Sequence, residues 1–283
     1  TVLFTADNNR SVDGSISIAQ GAFTDLAGNP SSNTGSLTIP IDTVSQTVTI
    51  SRANAGDILK QGDTETITFT FTEEPVGFVI GDITLTNALG STITNLVATS
   101  NPLVYTATFT AGANSTTVGI KVLSGELTDA TGNQNLESNT ITLDVDTVPP
   151  TVLPITRNGQ TTLNIANNSD TITITLSESS NDFGMGDITP VGGSLSNFTV
   201  VSITEYTVLF TADNTRSTDG SVSVNQGVFT DLAGNSSSNA KSLTIPIDTV
   251  SQTATISRAN AGDILKQGDT ETIIFTFTEA PVD

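Results

Sequence analysis

A carboxylate recurs at one place in three short stretches, Ile41-Asp42-Thr43-Val44, Val145-Asp146-Thr147-Val148 and Ile247-Asp248-Thr249-Val250. These joints lie 104 and 102 residues apart, from 42 to 146 to 248. A second acidic motif keeps the same beat: Thr24-Asp25-Leu26-Ala27-Gly28-Asn29, Thr128-Asp129-Ala130-Thr131-Gly132-Asn133 and Thr230-Asp231-Leu232-Ala233-Gly234-Asn235, each ending 13 residues ahead of its joint. Aspartate, glutamate and asparagine offer hard oxygens. Gathered at one point, carboxylates repel each other unless a cation neutralises them, and Ca²⁺ accepts about six to eight such oxygens at flexible angles. Mg²⁺ fits less well, because it demands a stricter octahedron.

A period near 103 residues is the length of a small β-sandwich. In the immunoglobulin strand order, the loops after the second, fourth and sixth strands lie at the pole where the chain enters. For residues 43–146 these are 73–82, about 99–102, and 124–139, all facing Asp42. They carry Glu73 and Asp82, then Asp129 and Asn133, with Gly132 permitting the tight turn between the last two. The following unit offers Asp146 at its joint with Glu178, Asp187, Asp231 and Asn235. The expectation is four carboxylates and an amide converging on Ca²⁺ at each joint. The competing reading is turn chemistry, since Asp and Asn in Asp-x-x-Gly-Asn form turns whatever they bind.

Positioning these loops requires strands, and the pattern supplies them. Apolar residues alternate with Ser and Thr, the period of a half-buried strand, and helical spacing is nowhere sustained. In the unit 43–146 seven strands are predicted: 48–51, 66–72, 83–86, 93–98, 104–109, 117–122 and 140–145. Ile67, Phe69 and Phe71 point inward, as do Tyr105, Ala107 and Phe109, while Thr68, Thr70 and Thr72 point out. Residues 147–248 repeat the plan, with Thr171–Leu176 and Tyr206–Phe210 as the equivalent central strands. Residues 1–42 read as the back part of a unit, with strands at 2–4, 15–18 and 36–41, and 249–283 as the front part of another. The sequence 257–270 copies 51–64 without a change, and 1–42 closely matches 207–248, so the larger repeat is a pair of units 206 residues long. Residue 1 falls inside a run that reappears at Thr207-Val208-Leu209-Phe210, and Asp283 inside a loop complete at 73–82, so the chain reads as a window on a longer array. The fold class is therefore all-β, with immunoglobulin-like sandwiches arranged end to end as a rod.

Nine Lys and Arg face 29 Asp and Glu, a formal charge of −20. Nucleic acid is a poor partner for such a chain, because phosphate binding needs a basic surface. Cations are favoured, although the same charge also serves solubility. With no Cys, His or Trp, disulfides, thiolate or imidazole nucleophiles and ordinary zinc sites are excluded. No apolar run approaches the roughly 20 residues of a membrane helix. Other acids carry less. Asp7 to Gly14 and its copy Asp213 to Gly220 read as turns, and Asp57 and Asp63 with copies Asp263 and Asp269 as solvent-exposed loop residues at the far pole. The Asn-x-Ser/Thr triplets beginning at Asn9, Asn114, Asn167, Asn197 and Asn235 are easily met by chance in a Thr-rich chain.

Together the joint Asp-Thr-Val, Phe71-Thr72-Glu73-Glu74-Pro75-Val76, Gly81-Asp82-Ile83-Thr84 and Thr128 to Asn133 resemble the bacterial immunoglobulin-like repeats of giant surface adhesins and biofilm-associated proteins. The resemblance implies an extracellular bacterial surface protein, often exported by a one-step secretion system, whose tandem sandwiches are stiffened by calcium between them. The unit 147–248 departs from the pattern, since Leu176-Ser177-Glu178-Ser179-Ser180-Asn181-Asp182-Phe183 lacks the Pro-Val pair. The leading expectation is a calcium-rigidified extender whose partners are calcium and neighbouring repeats. An assembling subunit of a filament, sheath or surface layer, pairing with other copies of itself, is the alternative. A glycan-binding module would want exposed aromatics, and Tyr105 and Tyr206 both read as inward. An enzyme is disfavoured, because acids that recur with every repeat argue for architecture.

Overall fold

The computed structural model describes residues 1–113, 116–159, 161–262 and 264–281. The predicted triplet at Asn114, the loop acid Asp263 and the terminal Asp283 lie outside the described residues. The chain divides into two compact units, Thr1–Val148 and Pro149–Asp283.

The first unit begins with a hairpin of β1 (Gly14–Ile18) and β2 (Gly35–Ile39). Its complete domain follows, with β3 (Val48–Arg52), β4 (Ile58–Leu59), β5 (Thr64–Phe71), β6 (Ile83–Thr86), β7 (Thr92–Ala98), β8 (Val104–Thr110), β9 (Thr117–Val122) and β10 (Ile141–Val145). One sheet runs β3-β5-β8-β7 and the other β4-β10-β9-β6, the two faces of an immunoglobulin-like sandwich. The predicted strands are there because alternation commits every second residue to the core. Along β5, Glu65, Ile67, Phe69 and Phe71 are buried while Thr66 and Thr70 are exposed. Ile67, Phe69, Phe109, Val118, Ile120, Val122 and Leu143 fill the space between the sheets, each large side chain stabilising the fold by about 1.5–3 kcal/mol relative to exposure. The strand missed by the pattern is β4, two residues pairing in parallel with β10; so short a segment has no period to read.

The second unit repeats this with β11 (Thr156–Arg157), β12 (Leu163–Asn164), β13 (Ser169–Thr175), β14 (Ile188–Val191), β15 (Gly193–Val200), β16 (Glu205–Ala212), β17 (Gly220–Val224), β18 (Lys241–Ile245) and β19 (Ile247–Asp248), and ends in a hairpin of β20 (Ala254–Arg258) and β21 (Ile273–Phe277). The sheet β11-β13-β16-β15 packs on β14-β17-β18 through Phe210, Val222, Val224 and Ile245, while the parallel pair β12-β19 stands where β4 and β10 pair in the first domain.

Two expectations are corrected. Residues 2–4 form no strand, because their counterpart β16 is held on both sides by β13 and β15 and residues 1–42 contain no such partners. The strand predicted over 36–41 stops at Ile39, where Pro40 has no N–H to continue the ladder. Among the described residues, no helix is long and apolar enough to cross a membrane.

Candidate metal centre

The loop 127–135 is built around the Asp129 carboxylate, which is 3 % exposed. Oδ1 accepts the Thr131 amide and hydroxyl, each at 2.8 Å, and the Asn133 amide at 3.0 Å; Oδ2 accepts Asn133 Nδ2 at 2.9 Å. Gly132 closes the turn at φ +93°, a left-handed conformation that glycine adopts without steric cost. Burial works to lift the Asp129 pKa, yet the bonds from Asn133 and Thr131 hold it below the ordinary aspartate value. The anion is thus preset.

Glu73 lies two residues past the end of β5. Its loop is anchored by Phe78, whose ring makes edge contacts with Phe69, Phe71 and Tyr105 at centroid distances of 5.4, 5.0 and 5.3 Å. The loop is also stitched to its neighbour, since Val76 donates its amide to the Thr128 carbonyl at 2.8 Å. Asp42 arrives from the joint, its Oδ2 accepting the Thr131 hydroxyl at 3.1 Å and its carbonyl accepting Asn133 Nδ2 at 3.3 Å.

Asp42, Glu73 and Asp129 thereby bring carboxylate oxygens within 4.8 Å of one another. Among the described residues no Lys or Arg makes an ion pair with any of the three. The electrostatic consequence falls on Glu73, whose pKa is raised first by burial and then by the charges of Asp42 and Asp129. A set of hard carboxylates, one buried, two half-buried and mutually repelling, fits a divalent cation of the calcium type. Backbone and amide oxygens would have to fill the rest of its shell.

The other candidates divide. Asp82 does not join the three; its Oδ2 accepts the Val79 amide at 2.8 Å and caps the short turn before β6. Asp187 does the same for Gly184 at 2.8 Å. Asn133 turns its Nδ2 toward the Asp129 carboxylate and the Asp42 main-chain carbonyl and so braces both segments in this geometry. Asp231, 2 % exposed, repeats the role of Asp129, with Asn235 Nδ2 on its Oδ2 at 2.9 Å. Glu178 is half-buried at the start of its loop. Asp146 follows β10, its amide on the Leu59 carbonyl at 2.8 Å and its Oδ1 accepting the Val148 amide at 3.0 Å.

Sequence reasoning missed two threonines. Thr131 bridges Asp129 and Asp42 by its hydroxyl. Thr43 is clamped by the turn after Asp7: its amide donates to the Arg10 carbonyl at 2.8 Å, its hydroxyl accepts the Arg10 amide at 2.9 Å and donates to the Asp7 carbonyl at 2.8 Å. Thr249 repeats the clamp on Arg216 and Asp213. The available signal was the invariant spacing between that turn and the joint threonine, 36 residues in both copies.

No curated protein sequence matches the chain. Among solved structures it is similar to FdeC, an adhesin of Escherichia coli, at 15% identity and a TM-score of 0.34 over 85% of this chain and 75% of that one. It is also similar to the Yersinia pseudotuberculosis adhesin InvE, at 16% identity and a TM-score of 0.26 over 72% and 59%, and to domains 4–9 of the surface layer protein SbsC, at 12% identity and a TM-score of 0.24 over 91% and 42%. The chain thus spans less than two thirds of the second and third. A family profile described as the bacterial Ig-like domain matches residues 42–145 and again 146–247. With most of its length in two consecutive matches, the chain belongs to the bacterial Ig-like domain family.

Proposed function

We propose that the chain is part of the extender of a long, repetitive bacterial surface protein, and that Ca²⁺ held by Asp42, Glu73 and Asp129 stiffens the joint ahead of the domain it enters. The observation that carries this reading is the convergence of three carboxylates from positions 42, 73 and 129 with oxygens within 4.8 Å. Turn formation alone accounts for Asp129 and its asparagine. It does not account for bringing Glu73 and Asp42 against them, which raises the Glu73 pKa and costs stability.

A bound cation would supply charge neutralisation. The protein's share is to hold Asp129 ionised through Asn133 and Thr131, to anchor Glu73 through Phe78, and to fix the joint through the clamp on Thr43. With sites of about 10⁻⁴ to 10⁻³ M and extracellular calcium near ~10⁻² M, binding adds roughly 1.4 to 2.7 kcal/mol to the native state. That support vanishes where calcium is scarce, which favours folding after export. By repetition of the sequence, Glu178, Asp231 and Asn235 are assigned the roles of Glu73, Asp129 and Asn133.

The test is small-angle scattering of the chain in calcium and in chelator, beside a calorimetric calcium titration. Stiffening predicts a larger radius of gyration in calcium; superimposable profiles sink the extender mechanism. Light scattering in calcium separates this reading from a self-assembling filament or layer subunit, the extender remaining monomeric.

A further inference from the structure

Gln46 is fully buried, and among the described residues neither its Oε1 nor its Nε2 has a hydrogen-bond partner. An amide in that state is costly, and native interiors rarely keep one. Its position explains what it could serve. The ladder of β3 and β5 pairs Val48 with Phe71. One step further out, Thr72 donates its amide to the Thr47 carbonyl at 3.0 Å and its hydroxyl accepts the Thr47 amide at 2.9 Å. The next step sets Gln46 opposite Glu73. Alternation gives both the inward face, since Val48 and Phe71 are buried while Thr47 and Thr72 are exposed. On its other side, the Gln46 carbonyl accepts the Leu136 amide at 2.9 Å, at the end of the loop built on Asp129. Gln46 thus lies between the segments that carry Glu73 and Asp129.

The repeats locate the feature further. Gln252 copies Gln46, and its Nε2 donates to the carbonyl of Glu279, the copy of Glu73, at 3.0 Å, so the side chain reaches this neighbour. In the second domain the equivalent position is Pro150, identified by the Ser238 amide on its carbonyl at 3.0 Å and the Ser177 amide on the Thr151 carbonyl at 2.9 Å. Proline has no side-chain oxygen. The feature therefore belongs to one domain type.

We propose that Gln46 Oε1 is an uncharged oxygen ligand of the divalent cation held by Asp42, Glu73 and Asp129, the buried amide being kept because the cation completes it. This rests on the calcium reading above. Neutral amide oxygens are ordinary calcium ligands, and a fourth protein oxygen adds coordination without adding to the repulsion among the acids.

The experiment is a calcium titration of the full chain, following backbone and side-chain amide resonances by NMR, with the Gln46 side-chain signal assigned by its loss in Gln46→Leu. The expected result is that the Gln46 amide shifts in step with Asp129 and Asn133, and that Gln46→Leu binds calcium about tenfold more weakly while its melting temperature in chelator stays level or rises. Should Gln46→Leu fail to fold, Gln46→Glu serves instead: it should melt lower in chelator and bind calcium more tightly. An unmoved Gln46 signal with loop signals that do move, or unchanged affinity in both variants, overturns the ligand role and leaves the calcium reading standing. A wild-type chain whose spectrum ignores calcium overturns both.

Discussion

In the first complete domain the loop 73–82 is fastened to the loop 127–135 by main chain, through the Val76 amide on the Thr128 carbonyl. In the second a main-chain bridge between Ser180 and Asp231 holds the same junction, and side chains add to it. Ser180 Oγ donates to the Thr230 carbonyl at 2.6 Å, and the Asp182 carboxylate accepts the Thr230 amide at 2.9 Å and its hydroxyl at 2.8 Å. Burial would lift the Asp182 pKa, but these bonds from Thr230 and Ser180 hold it down. The loss of the Pro75-Val76 pair therefore does not loosen the second loop; a charge-assisted latch reinforces the main-chain bridge there. What both domains keep is the braced aspartate and the ring beneath the loop, Phe78 in one and Phe183 in the other, the latter against Tyr206 at 4.8 Å and Phe229 at 5.2 Å. Fastening varies while the carboxylate scaffold does not, which is the pattern expected if the scaffold carries the function.

The largest effect should come from the shared element. Asp129→Ala and Asp231→Ala each strand the donors of a half-buried asparagine, Asn133 or Asn235, and should each cost about 2 kcal/mol in their own domain. Native-state hydrogen exchange can assign the loss, since one chain holding two domains does not melt as a single two-state unit. A loss confined to one of the two variants would break the equivalence of the scaffolds. Next is Asp182→Ala, expected to cost about 1 kcal/mol, a figure kept low because Asp182 is exposed. It should speed exchange of the Thr230 amide and leave Thr128 unchanged.

Glu73→Gln probes the repulsion directly. Because burial, then Asp42 and Asp129, raise Glu73, the ion-free native state holds a proton that the unfolded chain releases between the ordinary glutamate value and the raised one. Stability in chelator should fall as pH rises through that window. Asp129 runs the other way: its contribution is present above the ordinary aspartate value and is lost as pH falls through its lowered one. Glu73→Gln should remove the first slope, gain up to about 1 kcal/mol near neutral pH in chelator, and weaken calcium binding. A variant that melts as the wild type does in chelator at every pH would show that the three acids do not repel.

Alternation made the sandwich legible, because residues such as Ile67, Phe69 and Phe71 declare a buried face without reference to any partner. The acids at 42, 73 and 129 were legible through period and loop position. Asp82 and Asp187 misled by type: a carboxylate just before a strand can cap a turn as readily as it can face a cation, and composition does not separate the two. Gln46, Thr43 and Thr131 were invisible for a different reason. A glutamine before a strand or a threonine in a Thr-rich chain carries no local signal; the two threonines meet their neighbours 33 and 89 residues away, and Gln46 meets Leu136 only in the folded chain.

The smallest change bears most closely on the difference between the loops. Thr131 stands where the second domain has Ala233, and its hydroxyl lies 2.8 Å from Asp129 Oδ1 and 3.1 Å from Asp42 Oδ2. One proton cannot serve both acceptors fully, so Asp42 and Asp129 share a donor that softens their repulsion only in part. Thr131→Ala keeps the main-chain bond to Asp129 and removes this sharing. The expected loss is about 0.5–1 kcal/mol in chelator, the net worth of one hydrogen bond. Where calcium neutralises the same two carboxylates, the donor matters less and the loss should shrink. Paired chemical denaturation curves of wild type and Thr131→Ala, in calcium and in chelator, measure the difference. An equal loss in both would mean that the hydroxyl merely shapes the turn, and that Asp42 and Asp129 are not answering to one charge.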